Sequence, residues 1–395
     1  MPDTRYPIPD AAVARPAVRA LRASRIREIA NAGMRDPDVL PFWFGEPDLV
    51  TPQFIRDAAI ESLARGETFY SENFGIAELR GELARYTTRL HGRTSDSQIA
   101  VTASGMSALM LTVQALVSPG DRVVAVTPLW PNLVEIPKIL SADVACVALQ
   151  FGAAGWTLDL DRLLDALTPG TRAVLINSPN NPTGWTIDRD AQRALLDHCA
   201  RLGIWIIADD VYERIHFGGT PCAPSFLDAA ARDARVVSTN SFSKAWLMTG
   251  WRLGWIVAPE SLMPELGKLI EYNTSCSPVF VQRAGIAALA QGEPTAAATC
   301  ERMRQSRDRL VTALRSIDCV DVASPAGAMY AFFRVEGMRD SMQFCRRLVA
   351  DAKLGLAPGS AFGPEGEGFV RWCFAASGER IDDGVARLRR FLAAA

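Results

Sequence analysis

STNSFSKAWLMTGWRLGWIVA, residues 238–258, is the stretch of this chain that says most about its fold. It contains one lysine, Lys244, which stands between Ser241 and Ser243, with Arg252 eight positions further on. Apolar residues flank Lys244, and burial among them favours the neutral amine, which is a nucleophile toward an aldehyde. The hydroxyls and the guanidinium are groups that bind an anionic phosphate. This combination indicates pyridoxal phosphate (PLP), although an ordinary surface lysine after a strand stays open from this stretch alone.

The pattern SFSKAWLMTGWRLG, residues 241–254, resembles the lysine segment of the fold-type I, class I/II aminotransferases. The resemblance extends over nearly the whole chain, with the motifs in the family's order. It implies an α/β fold: a large domain with a mainly parallel seven-stranded sheet sandwiched by helices, plus a smaller α+β domain. The implied boundaries are residues 1–44 for an N-terminal arm and part of the small domain, 45–285 for the PLP-binding domain, and 286–395 for the C-terminal small domain.

The composition is that of an ordinary soluble protein, with 49% hydrophobic and 22% charged residues among 395. A net charge of −2 gives no reason to expect nucleic acid or an acidic membrane surface as a partner. The first residues, MPDTRYPIPD, contain no apolar signal region, and no uninterrupted apolar run reaches about 18 residues. We therefore expect a cytoplasmic protein that neither is secreted nor spans a membrane.

Cysteines and histidines give no sign of metal or disulfide chemistry. The eight cysteines are scattered singly, without a C-x-x-C pair, which is typical of reduced cysteines in a cytosolic protein. His91, His198 and His216 are far apart in the sequence and match no zinc motif. No G-x-S-x-G motif supports a histidine-based triad.

The N-terminal region, residues 1–44, begins as a proline-punctuated arm and continues into a helix-like stretch that ends near Ala32. That stretch carries five arginines, which alone indicate a solvated helix face: Arg15, Arg19, Arg22, Arg25 and Arg27. The family resemblance implies that the arm packs on a partner subunit and over the active site. In FWFGEPD, residues 42–48, it places Gly45 where the backbone approaches a substrate carboxylate, which suits a residue without a Cβ. Phe42, Trp43 and Phe44 lie near the expected side-chain pocket, and Trp43 is the candidate for binding the substrate.

Short apolar strands alternate with helices between residues 98 and 208. The predicted strands are 98–102, 123–127, 144–149, 172–177 and 204–208, and the helices after them are 103–117, 131–140, 160–167 and 189–202. This alternation predicts a mainly parallel sheet covered on both faces. Ligands of such sheets bind at the carboxyl ends of the strands. The candidates that lie just past a strand are Ser104, Trp130, Asn181, Asp209 and Lys244.

The first of these strands leads into the small-residue turn ASGMSA, residues 103–108, and then a helix. Backbone N–H groups at such a helix start point at an anion. This makes Ser104, Gly105 and Met106 candidates for the cofactor site, and the resemblance implies that Ser104 and Gly105 bind phosphate together with Ser241 and Arg252. Ser243 is a weaker candidate.

The C-terminal part combines helices and strands into the predicted α+β domain. We expect a helix at 259–272 and a largely helical stretch at 282–317, broken around 292–294, that links the domains. Strands are predicted at 329–335 and 369–374, and helices at 341–351 and 380–392.

Asp209 and Tyr212 match the family's D-x-x-Y motif. A carboxylate that faces the pyridine nitrogen of PLP keeps it protonated, so that the ring can accept electrons from the substrate. The spacing to Tyr212 favours Asp209 over the neighbouring Asp210, although a turn or capping aspartate is the alternative. The resemblance implies that Tyr212 contacts the ring's phenolate oxygen. It implies the same contact for Asn181, in NNPTG at 180–184, and places Asn181 beside the substrate. For Asn181, a plain Asn-Pro turn is the other interpretation.

The resemblance implies that Trp130 stacks on the PLP ring, whereas a buried core tryptophan is the alternative. Tyr70, in YSENFGIAELR at 70–80, would reach the phosphate of a neighbouring subunit, which implies a homodimer with shared active sites.

Arg371 stands in the apolar run FVRWCF, residues 369–374, where an unpaired guanidinium is costly. Its fork suits a substrate α-carboxylate, and a structural salt bridge is the other possibility.

The implied reaction is ping-pong transamination between an L-amino acid and a 2-oxo acid, in which Lys244 holds PLP and later moves the substrate's Cα proton. Met106 stands where some family members carry a lysine that recognises an acidic side chain, and residues 271–278 offer no arginine for a second carboxylate. We therefore expect the substrate to be a neutral, apolar or aromatic amino acid.

A β-eliminating C–S lyase on the same fold is an alternative function. A non-enzymatic sensor domain of a transcription regulator is a remote one, because the residues before Gly45 are too few for a DNA-binding domain.

Overall fold

The structure is a computed structural model that describes residues 14–92 and 94–394. Its α-helices are α1 Pro16–Arg19, α2 Arg25–Gly33, α3 Gln53–Ala64, α4 Ala77–His91, α5 Gly105–Leu116, α6 Pro131–Ile139, α7 Leu160–Ala166, α8 Arg189–Leu202, α9 Met263–Asn273, α10 Val279–Gln291, α11 Glu293–Arg315, α12 Ser341–Ala352 and α13 Gly378–Ala393. Its strands are β1 Leu40–Pro41, β2 Ile99–Thr102, β3 Arg122–Thr127, β4 Asp143–Ala148, β5 Gln150–Gly152, β6 Gly155–Thr157, β7 Thr171–Asn177, β8 Trp205–Asp209, β9 Val236–Ser241, β10 Gly254–Val257, β11 Val320–Val322, β12 Tyr330–Val335, β13 Leu354–Gly355, β14 Ala357–Pro358 and β15 Phe369–Cys373.

Local sequence explains where many of these elements begin and end, and α8 is an example. The Asp188 carboxylate accepts a hydrogen bond from the Ala191 N–H at 2.8 Å and caps the first turn. Such a cap stabilises a helix by about 1 kcal/mol. The helix ends at Gly203, whose φ of 70° is a left-handed conformation that suits glycine. Its buried face includes Leu195 and Cys199, which pack toward the central sheet.

The central sheet has seven strands in the order β2-β10-β9-β8-β7-β3-β4. Strands β9, β8, β7, β3 and β4 run parallel to one another, and β10 runs antiparallel to its neighbours β2 and β9. The expected mainly parallel seven-stranded sheet is therefore confirmed. Because the parallel strands run in one direction, the residues that follow β7, β8 and β9 meet at the same edge of the sheet.

Apolar packing on both faces holds this sheet in place. Successive side chains of a strand point to opposite faces, and in β7 they enter two separate clusters. Val174 and Ile176 pack into one core, whereas Ala173 and Leu175 pack into the other. This two-sided burial explains why the strands read as near-continuous apolar runs rather than as alternating ones.

A second, antiparallel sheet of four strands lies in the C-terminal part, in the order β11-β12-β15-β14. The N-terminal region joins this part, because β1 pairs in parallel with β13 and α2 packs against α12. The division of the chain into domains at residues 44 and 285 stays a prediction.

The arginine-rich stretch near the N-terminus differs from expectation. It forms two helices, α1 and α2, separated by residues 20–24, rather than one. The physical reason is a new helix start: Ser24 accepts a hydrogen bond from the Arg27 N–H at 3.2 Å and caps α2. The proline-rich beginning of the predicted arm, residues 1–13, lies outside the described residues.

A buried ionic cluster ties α4 to the loop after β8. His91 lies between two carboxylates: its Nε2 is 2.8 Å from Glu213 Oε2, and its Nδ1 is 2.8 Å from Asp228 Oδ1. The Tyr86 hydroxyl donates to the other oxygen of Glu213 at 2.6 Å. Burial opposes charge on the imidazole, but Glu213 and Asp228 outweigh it and raise the pKa of His91 to about 10. His91 therefore carries a buried positive charge at neutral pH.

Replacing His91 with glutamine should destabilise the protein by about 2–4 kcal/mol at pH 6, because it leaves the buried Glu213 carboxylate without its cation. Asp228 loses one of its two cationic partners and keeps its ion pair with Arg189 at 2.9 Å. A raised histidine pKa stabilises the fold fully below the unfolded value near 6.5 and ceases to do so as pH rises through about 10. We expect the loss in Tm to shrink between pH 6.5 and pH 10. Differential scanning calorimetry at several pH values measures it, with His198→Gln as the control. A loss that is independent of pH would contradict the charged state of His91.

Candidate active site

One cavity of about 470 Å³ collects most of the predicted site residues, although they come from distant parts of the sequence. The predicted residues that line it are Gly45, Gly105, Met106, Trp130, Asn181, Asp209, Tyr212, Ser241, Ser243, Lys244, Arg252 and Arg371. Ser104, Trp43 and Tyr70 are not part of its lining. The cavity lies at the carboxyl ends of β7, β8 and β9, where the strand alternation predicts a ligand.

Lys244 follows β9 and is half-buried in the cavity. Its Nζ donates a hydrogen bond to the Gly45 carbonyl oxygen at 2.6 Å. Burial lowers the pKa of Lys244 to about 8, and the positive charges of Arg371 and Arg252 act in the same direction. A substantial fraction of the amine is therefore neutral just above neutral pH, which is the form that attacks a carbonyl.

Asp209 is the last residue of β8 and is fully enclosed. Asn177 holds its carboxylate, because the Asn177 Nδ2 donates to Asp209 Oδ2 at 3.2 Å. Burial raises the pKa of Asp209 to about 7, and the neighbouring Asp210 adds to the effect. Among the described residues, no cationic side chain forms an ion pair with Asp209. A protonated ring nitrogen in the cavity would supply the missing counter-charge.

The start of α5 and the β9 hydroxyls form a site suited to phosphate. Helix α5 begins at Gly105 with no acidic residue in its first turn, so its free N–H groups favour an anion. A Cβ on Gly105 would lie 3.1 Å from the Cβ of Ser241, so glycine leaves room at this point. The Ser241 hydroxyl is 2.8 Å from that of Ser243, and Arg252 also lines the cavity.

Ser104, a predicted phosphate-binding residue, is the N-cap of α5. Its hydroxyl accepts a hydrogen bond from the Ser107 N–H at 3.0 Å and caps α5, so the side chain is used within the helix start instead of lining the cavity. Capping satisfies a backbone donor that would otherwise lack a partner.

Arg371, in the middle of β15, is a buried cation without a counter-ion among the described residues. Its side chain donates to Asn181 Oδ1 at 2.9 Å and to the Trp43 carbonyl oxygen, whereas its Nε has no partner. The guanidinium lies 4.4 Å from the centre of the Tyr330 ring. Since no carboxylate of the described chain pairs with it, the structural salt bridge is not what holds Arg371 there. A buried guanidinium of this kind is suited to an anionic ligand.

The residues present therefore fit PLP: an amine of lowered pKa, a buried carboxylate in need of a cation, and an anion site at a helix start. The family model for class I and II aminotransferases matches residues 37–388 of the chain.

The chain belongs to the class I and II aminotransferase family.

Members of this family are PLP-dependent, so the expected cofactor and enzyme class are confirmed. Among similar proteins, an aspartate aminotransferase of Pyrococcus horikoshii is 32% identical over 95% of this chain and 96% of its own length. Aromatic-amino-acid aminotransferase 2 of Thermococcus litoralis is 30% identical over 93% of this chain and 95% of its own. The crystal structure of a Thermotoga maritima aspartate aminotransferase superposes with a TM-score of 0.88 at 32% identity, covering 96% of this chain and all of the other.

Tyr330 is a site residue of this aminotransferase that sequence reasoning missed. Its hydroxyl lies 2.7 Å from the Tyr212 hydroxyl, and both rings line the cavity. A Cβ on Gly45 would overlap the Tyr330 hydroxyl, which gives a packing reason for glycine at that position. The only signal was a tyrosine at the start of an apolar strand, and nothing local links it to Tyr212.

Trp43 is a predicted substrate-site residue whose side chain lies beside the cavity rather than in its lining. Its ring lies outside the cavity lining and packs where Gly33 and Gly355 leave room, and a Cβ on Gly355 would overlap the ring. Trp43 contributes its carbonyl oxygen to Arg371, while the side chain of the next residue, Phe44, lines the cavity. The aromatic side chains in the cavity lining are thus those of Phe44, Trp130, Tyr212 and Tyr330.

Tyr70 is 90% exposed and outside the cavity. Its contact with the phosphate of a neighbouring subunit stays a prediction.

Within the described part of the aminotransferase, no helix has the length and apolar character needed to cross a bilayer. The same residues contain no group of three or more His, Cys, Asp or Glu side chains placed to hold a metal ion.

A larger groove, of about 750 Å³, lies elsewhere on the molecule, between the β5–β6 hairpin and residues 183–191 and 323–326. Its lining includes Trp156, Trp185, Asp188 and Asp190 but no lysine, arginine or histidine. Without a cation it does not offer the group that a phosphate or a carboxylate substrate requires.

Proposed function

We propose that this enzyme transfers the amino group of a neutral, apolar or aromatic L-amino acid to a 2-oxo acid by a ping-pong mechanism. The observation that carries this proposal is Arg371: a buried guanidinium without a carboxylate partner in the described chain, in the same cavity as Lys244. Every substrate of the reaction has an α-carboxylate, and Arg371 is suited to bind it with both arms of its fork. Asn181 would orient the guanidinium through its 2.9 Å hydrogen bond.

When bound, PLP supplies an electron sink for the electron pair that is released when the substrate Cα–H bond breaks. Lys244, whose amine is partly neutral, would take that proton as the general base and return it as the general acid. Asp209 would face the ring nitrogen, and Tyr212 would donate a hydrogen bond toward the ring's phenolate oxygen. Gly105, Met106, Ser241, Ser243 and Arg252 would bind the phosphate.

Four side chains support a neutral substrate. Phe44, Met106, Leu109 and Trp130 line the cavity and provide an apolar wall. Met106 is held there by a contact of 3.5 Å between its sulfur and the Asn132 amide. Burial of an apolar side chain against such a wall is favourable in proportion to the area removed from water.

The first test is a visible absorption spectrum of the purified protein with PLP, followed by addition of one amino acid at a time. We expect the band of the lysine-bound cofactor to be bleached by leucine, methionine or phenylalanine, with stoichiometric release of the 2-oxo acid. Release of pyruvate and ammonia from cystathionine, without consumption of a 2-oxo acid, would instead support the C–S lyase. A higher kcat/KM for aspartate than for the three neutral amino acids would overturn the substrate proposal.

We also propose a homodimer with shared active sites. Phe69 and Tyr70 are 84% and 90% exposed. Because two adjacent aromatic side chains are unfavourable in water when they are this exposed, we expect another chain to cover them. Analytical ultracentrifugation should give a dimer, and Tyr70→Ala should raise the dissociation constant of PLP by about tenfold by removing one charge-assisted hydrogen bond. A monomer that is fully active at nanomolar concentration would contradict this.

A further inference from the structure

Tyr330, the first residue of β12, lines the cavity but has no role in the function proposed above. It is 1% exposed, and Tyr212 is 4% exposed. The two hydroxyls lie 2.7 Å apart, and the rings meet edge to face with their centres 5.7 Å apart. Within residues 14–92 and 94–394, each hydroxyl has the other as its only hydrogen-bond partner. A short, buried hydrogen bond of this kind holds both side chains in one arrangement.

The position of Tyr330 is set by the β-sheet and not by Tyr212. Tyr330 pairs with Cys373 of β15 in the antiparallel sheet of the C-terminal part. The Arg371 guanidinium lies 4.4 Å from the centre of its ring. On the other side, Gly45 leaves the space that the Tyr330 hydroxyl occupies. Tyr330 is therefore a fixed group against which the Tyr212 hydroxyl is oriented.

The number of protons decides the direction of this hydrogen bond. A phenol has one proton and can donate one hydrogen bond. If Tyr212 donates its proton to the phenolate oxygen of the cofactor, as proposed above, it has none left for Tyr330, so Tyr330 must be the donor. Charge favours the same direction: burial raises the pKa of Tyr330, but the positive charge of Arg371 opposes this rise. Burial raises the pKa of Tyr212 well above its usual range, and Tyr330 raises it further.

We propose that Tyr330 is a positioning residue of the active site, whose hydroxyl donates to the Tyr212 hydroxyl and so directs the Tyr212 proton at the phenolate oxygen of the cofactor. The inference rests on the proposed function, because it takes Tyr212 as the donor to that oxygen. It adds the group that orients this donor and strengthens it, since a hydroxyl that accepts a hydrogen bond becomes a better donor.

The expected consequence is a change in proton affinity at the cofactor. A weaker hydrogen bond from Tyr212 leaves the phenolate oxygen more basic, so the proton that it shares with the Lys244 nitrogen is held to a higher pH. The other ionisable groups that face the two tyrosines are Arg371, Cys373 and Asp209. All of them, and Lys244, are the same in wild type and in tyrosine variants, so a difference between these proteins reports on the hydroxyls.

The test is a pH titration of the visible absorption band of the lysine-bound cofactor. It compares wild type, Tyr330→Phe, Tyr212→Phe and the double variant; phenylalanine at 330 keeps the ring beside Arg371 and removes only the hydroxyl. We expect Tyr330→Phe to raise the pH midpoint by about 0.2–0.5, or about 1.5- to threefold in proton affinity. Tyr212→Phe should raise it by about 1 or more, or about tenfold. The double variant should equal Tyr212→Phe, because no hydroxyl is left to receive the bond from Tyr330.

Two controls separate this role from a merely structural one. Tyr86→Phe removes another buried hydroxyl, which donates to Glu213 at 2.6 Å outside the cavity, and should leave the midpoint unchanged. The unreactive carboxylate 4-methylvalerate should bind the PLP form of Tyr330→Phe within about twofold of wild type, because the ring beside Arg371 is retained. A loss of more than about tenfold in this binding would show that Arg371 is disturbed and would overturn the assignment to the hydroxyl.

The titration also distinguishes this inference from the proposed function. A midpoint that moves in Tyr212→Phe but not in Tyr330→Phe would overturn the inference alone. An equal effect of Tyr330→Phe with and without the Tyr212 hydroxyl would also overturn it, because Tyr330 would not act through Tyr212. The expected midpoints in an enzyme that transaminates no amino acid would support the inference and overturn the proposed function. If neither single variant moves the midpoint, Tyr212 is not the donor to the phenolate oxygen, and both are wrong on this point.

Discussion

Lys244→Ala should lose steady-state transamination, with kcat lowered by about 10³-fold or more. The substitution would remove both functions that we propose for Lys244: the amine that holds the cofactor covalently, and the base that moves the Cα proton. In the folded protein the amine lies 2.6 Å from the Gly45 carbonyl oxygen, and its pKa is lowered to about 8, so it is both positioned and partly neutral. No other lysine lines the cavity.

The measurement is the rate of 2-oxo acid formation from leucine, together with the absorption band of the lysine-bound cofactor. The control is Lys268→Ala, since Lys268 is an exposed lysine paired with Glu265 and should be silent in both measurements. Retained far-ultraviolet circular dichroism and retained weak PLP binding show that the variant is folded. Turnover of Lys244→Ala at the rate of wild type would refute the central role of this residue.

Asp209→Asn should have two opposite effects, one on activity and one on stability. In the PLP enzyme, loss of one partner of a buried ion pair costs about 3–5 kcal/mol, or about 10²- to 10³-fold if it is expressed in the rate. In the protein without PLP, the same substitution removes a buried charge that has no ion-pair partner among the described residues. We therefore expect an inactive variant whose cofactor-free form is more stable than that of wild type.

The pH dependence follows from the pKa of Asp209, which burial raises to about 7 from an ordinary value of 3.8. For an acid with a raised folded pKa, the folded state binds more protons, so the charge destabilises the fold increasingly as pH rises from about 4 to 7. The stability gain of cofactor-free Asp209→Asn should be on the order of 1–4 kcal/mol above pH 7 and should vanish near pH 4.

Thermal unfolding of the cofactor-free proteins between pH 4 and pH 8 measures this gain, and Asp210→Asn is the matched control for the loss of activity. Asp210 accepts hydrogen bonds from Ser238 at 2.6 Å and Ser225 at 3.1 Å and does not line the cavity. Its substitution should leave more activity than that of Asp209. If Asp210→Asn were the inactive variant and Asp209→Asn the active one, the assignment of the ring-nitrogen partner would have to be exchanged.

The placement of Asp209, Asn181 and Lys244 at one edge of the sheet could be predicted from the sequence, and the structure brings them into one cavity. Each follows a short apolar strand, and parallel strands bring their carboxyl ends together whatever the details of side-chain packing. The start of α5 could be predicted for a similar reason, because a small-residue turn between a strand and an apolar helix is a local feature. These predictions needed only periodicity and turn chemistry.

Contacts between distant segments could not be predicted in the same way. Nothing local to residue 330 shows that its hydroxyl meets Tyr212, and nothing local to residue 27 shows that its guanidinium lies on Phe44. The choice between Trp43 and Phe44 as the cavity residue depends on Gly33 and Gly355, which make room for the larger ring elsewhere. Such contacts depend on how α2, β12, β13 and the segment after β1 pack together.

The amino-acid sequence by itself determined the family, the mainly parallel sheet and the edge at which the chemistry takes place, because apolar periodicity and motif order are properties of short stretches. Only the tertiary structure decided that Arg371 lacks a carboxylate partner in the described chain, that Ser104 serves as a helix cap, and that Arg27 faces the cavity. The reason is physical: a side chain's charge compensation and exposure depend on atoms brought near it by the fold, and these come from anywhere in the chain.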